Sequence, residues 1–346
     1  MRRFRPRIAL AMTLAAALAL PTAALAGTAP TQPPQPAHGP GGSDYAHAGI
    51  RVHEGGTGAD AFYVFEPSRP KPERAPLAVI SHGYYEYSGY AQMEGLISHT
   101  VRRGSVVIYP RWQTGVAAPC PGPYFIEPCI DSEVTGIEGG IDWLRAKRSR
   151  VQPNLGRTSY FGFSFGGIIT ADIANRWREL GIPKPRAIFL DDPHDGGLAG
   201  AGEPALDDSL AGIPRSAKLE CHSGAGGVLA LDGPDESCNA LFPLLGSIPQ
   251  RNKDLVLTHS DLHGRPGLSS AHGVCAGGPN TPFGPPNAYD WNFCWKVWDG
   301  LRSCAHSGRD CEYALGAGRR HTSMGRWSDG VPITPLKVRN AASIRP

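Results

Sequence analysis

Once its leader is set aside, the chain has almost no excess of charge of either sign. Residues 1–26 hold four arginines and no acids, so the remainder carries 30 basic side chains against 31 acidic ones. That balance offers no basic field to nucleic acid or an anionic membrane, and neither is expected as a partner. After the leader no apolar run reaches the ~20 residues a bilayer span needs. No internal repeat is visible, which excludes solenoids and propellers. The cysteines lack the paired C-x-x-C spacing of zinc knuckles, so no metal site is expected.

The leader itself is informative. Met1 to Arg7 is basic, Ile8 to Leu20 is apolar apart from Thr13, and Ala24-Leu25-Ala26 has the small residues of a cleavage site. This pattern predicts a secretory signal peptide over 1–26 and an exported, secreted or periplasmic product. No cysteine follows the cleavage site, so no lipid anchor is expected. Eight cysteines come later, and an even count in an exported chain argues for disulfides. Proximity suggests the pairs Cys120–Cys129, Cys221–Cys238, Cys275–Cys294 and Cys304–Cys311. Residues 27–44, rich in Pro, Gly and Gln, read as a disordered tether. Residues 45–346 are long enough for one large α/β domain, with 264–346 as a Cys-rich extension stapled to it.

Within that domain, strand-like and helix-like patterns alternate. Pro76 to Ile80, Ser105 to Pro110, Arg157 to Phe161, Pro185 to Leu190, Ala217 to Cys221 and Asp254 to Thr258 read as strands. Tyr90 to Val101, Ser132 to Arg148, Gly167 to Trp177 and Asp290 to Arg302 read as helices. The order fits a mostly parallel, doubly wound sheet.

Gly162-Phe163-Ser164-Phe165-Gly166 falls between a strand and a helix. There a serine is held on a sharp turn with its hydroxyl projecting, and the glycines allow strand and helix to approach. The pentapeptide alone is weak evidence, so a base, an acid and an oxyanion hole must follow in order. A serine hydroxyl needs a base to accept its proton, and a carboxylate to orient that base. His263, just beyond the last confident strand, is the expected base; His259 should continue the strand and His272 should lie in the following loop. The acid is expected at Asp192, where Pro193 stops a strand, with Asp191, Asp232 and Asp235 as alternatives. Two backbone N–H groups must meet the developing oxyanion. Phe165 supplies one, and Tyr84, after His82-Gly83, supplies the other.

His82-Gly83-Tyr84, Tyr87-Ser88-Gly89-Tyr90, His99 and Val106 to Arg111 resemble the oxyanion-loop region of plant chlorophyllases. Gly162 to Gly167 resembles that family's serine elbow, and Asp192-Pro193-His194-Asp195-Gly196 resembles its triad-acid segment. Placement of the acid is also similar to that in platelet-activating-factor acetylhydrolases. The resemblance covers roughly residues 75–265 and implies an α/β-hydrolase fold, ester-cleaving chemistry, and Asp192 and His263 as triad members. Phe163 and Phe165 replace the His and Arg of the chlorophyllase elbow, so chlorophyll itself is not implied as substrate.

The expectation is an exported serine esterase acting on a small-molecule, lipid or polymer ester without cofactor or metal. Tyr84, Tyr85, Trp112 and Phe165 would line an apolar pocket. An amidase, peptidase or thioesterase on the same scaffold, or a catalytically silent binding protein, are the alternatives.

Overall fold

The computed structural model describes residues 28–115, 126–193, 206–224, 236–278, 281 and 283–339. The expected signal peptide, Cys120, His194, Asp195, Asp232 and Asp235 lie outside the described residues.

Nine strands form one sheet in the order β1-β2-β4-β3-β5-β6-β7-β8-β9. They are β1 (Gly49–Gly55), β2 (Phe62–Ser68), β3 (Arg74–Ser81), β4 (Val106–Pro110), β5 (Gln152–Phe163), β6 (Pro185–Asp191), β7 (Lys218–Gly224), β8 (Lys253–Thr258) and β9 (Lys337–Arg339). From β4 through β8 every pairing is parallel; β1, β2 and β9 run antiparallel at the edges. The central strands are continuous apolar runs such as Leu77-Ala78-Val79-Ile80, all fully buried, because helices cover both faces. A parallel sheet with an antiparallel second strand, ordered in this way, is the α/β-hydrolase fold.

Helices α1 (Glu94–Arg102), α2 (Ile126–Arg145), α3 (Phe165–Asn175), α4 (Glu236–Leu241), α5 (Trp295–Ser307) and α6 (Arg319–Thr322) follow the strands. On one face Leu96, Val101, Phe161, Phe189, Trp298 and Leu301 join α1 and α5 to the sheet. On the other, Val79, Ile108, Ile137, Leu144, Tyr160 and Ile169 join α2 and α3. A third cluster, including Leu190, Leu219, Phe242 and Leu255, packs around α4. The 264–346 portion is therefore more than an appendage, since its helix α5 completes one face of the core. A π-helical turn over Asp290–Cys294 leads into it.

Three of the expected disulfides are formed: Cys221–Cys238, Cys275–Cys294 and Cys304–Cys311. Cys129 is also disulfide-bonded. Such bridges belong to an oxidising environment. Among the described residues no helix is long and apolar enough to cross a membrane.

The segment expected as a disordered tether departs from that reading. Residues 28–44 are laid along the C-terminal portion, where backbone polar groups find fixed partners. Arg265 N donates to Pro30 O at 2.7 Å and Ser328 N to Thr31 O at 3.0 Å. Ala288 N donates to Gln32 Oε1, Trp291 Nε1 to Pro33 O, and Gly41 N to Asp299 Oδ2. Proline and glycine here shape a strap rather than freeing it.

Candidate active site

Ser164 stands between β5 and α3 with φ 55° and ψ −124°, a conformation that L-residues rarely adopt. Holding a non-glycine residue there costs about 1–3 kcal/mol, which the surrounding packing must offset. Ser164 N donates to Asp191 O at 2.9 Å, and Gly167 N to Ser164 O at 2.8 Å. The elbow's glycines are required by crowding. A Cβ on Gly162 would lie 2.3 Å from Gly166 O, and one on Gly166 would lie 2.2 Å from His82 O. The second approach presses the elbow against the His82-Gly83-Tyr84 loop that follows β3.

His272 Nε2 lies 2.8 Å from Ser164 Oγ. On the ring's other side, Nδ1 is 4.0 Å from Asp192 Oδ2. Asp192 begins the turn after β6 at φ 42°. Its Oδ1 accepts from Gly224 N, at the end of β7, at 2.8 Å. Phe163 lies beside the His272 ring, centroids 4.9 Å apart. Ser164, His272 and Asp192 thus gather at the carboxyl ends of the strands, where ligand sites of parallel sheets form.

The expected histidine, His263, is not brought to Ser164. Beyond β8, Asp261 and Leu268 bond backbone to backbone. The chain between them is thereby pushed outward, leaving Leu262 75% exposed. His263 there pairs with the exposed Asp329, Nε2 to Oδ2 2.7 Å. After Leu268 the chain turns back, and Ser270 and His272 enter the site. Sequence reading placed His272 in the loop without seeing its return. The available signal was its setting, Ser270-Ala271-His272-Gly273, small enough to pack against the core.

Tyr84 lies half-buried after Gly83 and Phe165 buried at the start of α3, ring centroids 5.7 Å apart. Trp112 stacks on Phe165 at 5.1 Å and on His82 at 4.6 Å. Tyr85 is 61% exposed beside them. His82 Nε2 is 2.8 Å from Arg111 O, tying the β3 loop to the segment after β4. Burial lowers the His82 pKa to about 4, so it is neutral.

Three buried groups here escaped the sequence reading. Glu86 sits under the loop, its Oε2 2.5 Å from where a Gly83 Cβ would stand. Burial pushes its carboxyl up to about 7 against the opposing pull of His272. Glu133, on α2, accepts from Ser81 Oγ and is pushed up to about 8 by burial. His222, on β7, bonds Asp191 Oδ1 through Nδ1 at 2.7 Å, both side chains fully buried. Asp191, Asp192 and His222 bring ligand-type atoms within 4.8 Å of one another. Both nitrogens of His222 are already engaged, by Asp191 Oδ1 and Thr258 Oγ1, and Asp192 Oδ1 is engaged by Gly224 N. The trio therefore fits internal charge pairing better than a metal ion.

No family model matches the chain, and no curated protein does. Solved structures do. Two variants of the esterase rPPE are similar at 17% and 16% identity, each over 51% of this chain and TM-score 0.35. The chain spans just under two thirds of those proteins, 65% and 64% of their length. MGS-M1, an alpha/beta hydrolase enzyme from a Medee basin deep-sea metagenome library, is similar at 14% identity over 66% of this chain and 85% of that one, TM-score 0.46. At such distances the sheet order and the elbow carry the assignment, and the chain has the α/β-hydrolase fold.

Proposed function

We propose that the protein is a serine hydrolase cleaving carboxylic esters, with Ser164 as nucleophile, His272 as general base and Asp192 as the orienting acid. The observation that carries this reading is the 2.8 Å contact of His272 Nε2 with the hydroxyl of a serine held at positive φ. Ser164 Oγ attacks the ester carbonyl carbon while its proton passes to His272 Nε2. The oxyanion that forms is met by backbone N–H groups of Tyr84 and Phe165, each worth about 3 kcal/mol. His272 then gives its proton to the departing alkoxide, leaving an acyl group on Ser164. Water, deprotonated by the same nitrogen, releases the acid and restores the serine. As the imidazole becomes charged, the 4.0 Å gap to Asp192 closes, since catalytic contacts are often long in the resting enzyme.

The similarity of Asp192-Pro193 to the chlorophyllase segment supports Asp192 as acid. Trp112, Phe165 and exposed Tyr85 favour an apolar or aryl group on the substrate. The disulfides and the leader together support export. Hydrolysis of p-nitrophenyl esters from acetate to palmitate, with wild type beside Ser164→Ala, tests the reading. Activity confined to the wild type, with fluorophosphonate labelling of Ser164, supports it. No turnover and no labelling would leave a silent scaffold instead.

A further inference from the structure

Beneath the triad runs a buried line of side chains that the mechanism above does not use. It starts at Asp191 beside the acid, crosses β7 at His222 and β8 at Thr258, and ends at Ser270 on the His272 loop. The contacts are Asp191 Oδ1 to His222 Nδ1 at 2.7 Å, His222 Nε2 to Thr258 Oγ1 at 2.9 Å, Thr258 Oγ1 to Ser270 Oγ at 2.7 Å, and Ser270 Oγ to Thr258 O at 3.0 Å.

These four contacts need four hydrogens. Each hydroxyl supplies one. With Asp191 ionised, a neutral imidazole supplies one more and leaves a contact between two lone pairs, whereas an imidazolium supplies two and fills every contact. With both ring nitrogens protonated, donation runs in one direction: Nδ1–H to Asp191, Nε2–H to Thr258, Thr258 O–H to Ser270, and Ser270 O–H to the Thr258 carbonyl. Counting alone does not charge a ring: His82 also faces two acceptors, but both are carbonyl oxygens with no carboxylate, and burial keeps it neutral, so the carboxylates beside His222 make the difference.

Resting on the serine-hydrolase reading, we propose that His222 is a positioning residue, held as an imidazolium beneath Asp192. There it keeps that acid ionised and, through Thr258 and Ser270, fixes the loop that delivers His272. The charged groups around it are consistent. Asp191 at the end of β6 and Asp192 in the turn after it face it, and Glu220 lies on its own strand. Thr258 of β8 and Ser270 of the loop face it with hydroxyls only. From the π-helical turn come the Phe293 ring, 4.5 Å away, and Asp290, which acts on Asp191. From α4, the disulfide-bonded Cys238 reaches only its carbonyl. Burial opposes a charge on His222, but Asp192, Asp191 and Glu220 overcome it and raise its pKa. Reciprocally, burial pushes Asp192 up, and His222 is the strongest influence pulling it back, ahead of His272.

The first test is NMR of the ¹⁵N-histidine-labelled wild-type protein at pH 7.5, which needs no variant to fold. Two protonated ring nitrogens on His222 are expected; one bare nitrogen would overturn the proposal. The second is His222→Asn, which keeps a donor without the charge. It should lower kcat at least about tenfold with KM within about twofold, and move the acid limb of the activity profile to higher pH. An unchanged kcat and acid limb would overturn the catalytic role. Labelling of wild-type Ser164 by fluorophosphonate separates the two claims. A serine that does not label alongside a charged His222 would refute the hydrolase reading, and with it any catalytic role for the cation.

Discussion

Asp261 and Leu268 hold each other twice, N–H to carbonyl at 2.8 Å in both directions, and so decide which histidine reaches the serine. His263 lies inside the loop they close and His272 lies beyond it. His272→Ala should therefore lower kcat/KM by about three orders of magnitude or more, whereas His263→Ala should leave it within about twofold. Steady-state kinetics on one p-nitrophenyl ester with both variants checks this. The opposite ranking would restore His263 as base.

Asp192 gives the reaction its own pH signature. Burial raises its pKa to about 6 despite the pull of His222 and His272. As pH falls through that value the carboxylate takes a proton and can no longer orient the imidazole. Activity should fall on the acid side with a midpoint near 6, and Asp192→Asn should be slow at every pH. A profile flat from pH 5 to 8 would contradict the assignment.

Glu133 makes a prediction about stability. Its ordinary pKa of 4.5 rises to about 8 in the folded protein, through burial. Between those values folding takes up a proton, so the stability this group contributes declines as pH rises from about 4.5 to about 8. Gln at 133 keeps an acceptor for Ser81 and carries no charge. Glu133→Gln should therefore raise Tm relative to wild type at pH 8.5 and gain little at pH 5. Thermal melts at the two pH values decide it.

Asp299 behaves oppositely. Although it is buried, His99, Arg302 and Arg103 hold its pKa down to about 2. His99 Nε2 lies 2.9 Å from Oδ2, and Gly41 N donates to the same oxygen at 3.1 Å. A depressed carboxyl gives stability that is present above its ordinary 3.8 and lost as pH falls towards 2. Asp299→Ala leaves buried cations uncompensated and should cost about 3–5 kcal/mol at pH 7. Denaturant melts at pH 7 and pH 3 should show the deficit shrinking on acidification.

The parallel strands were legible because burial on both faces writes them as short apolar runs, as at Leu77 to Ile80 and Ile188 to Leu190. The elbow was legible because crowding leaves only glycine at 162 and 166. β1 and β2 were not: Val52 faces solvent and polar residues interrupt the hairpin, so only its pairing with β4 reveals it. Asp192 could be placed from the strand end before Pro193. His272 could not, because its route depends on one backbone pairing that sequence does not record. The strap escaped notice for a related reason, since its partners, Arg265, Ala288, Trp291 and Ser328, lie more than 200 residues away along the chain.

That separation bears on biosynthesis. A ribosome releases Pro30 and Thr31 long before it has made Arg265 and Ser328, to which they bond. Until then the beginning of the nascent chain has nothing to dock on, and the histidine of the proposed site has not been made. Clasping of the strap and completion of the serine–histidine pair are thus late events, out of reach of any nascent chain still short of residue 265.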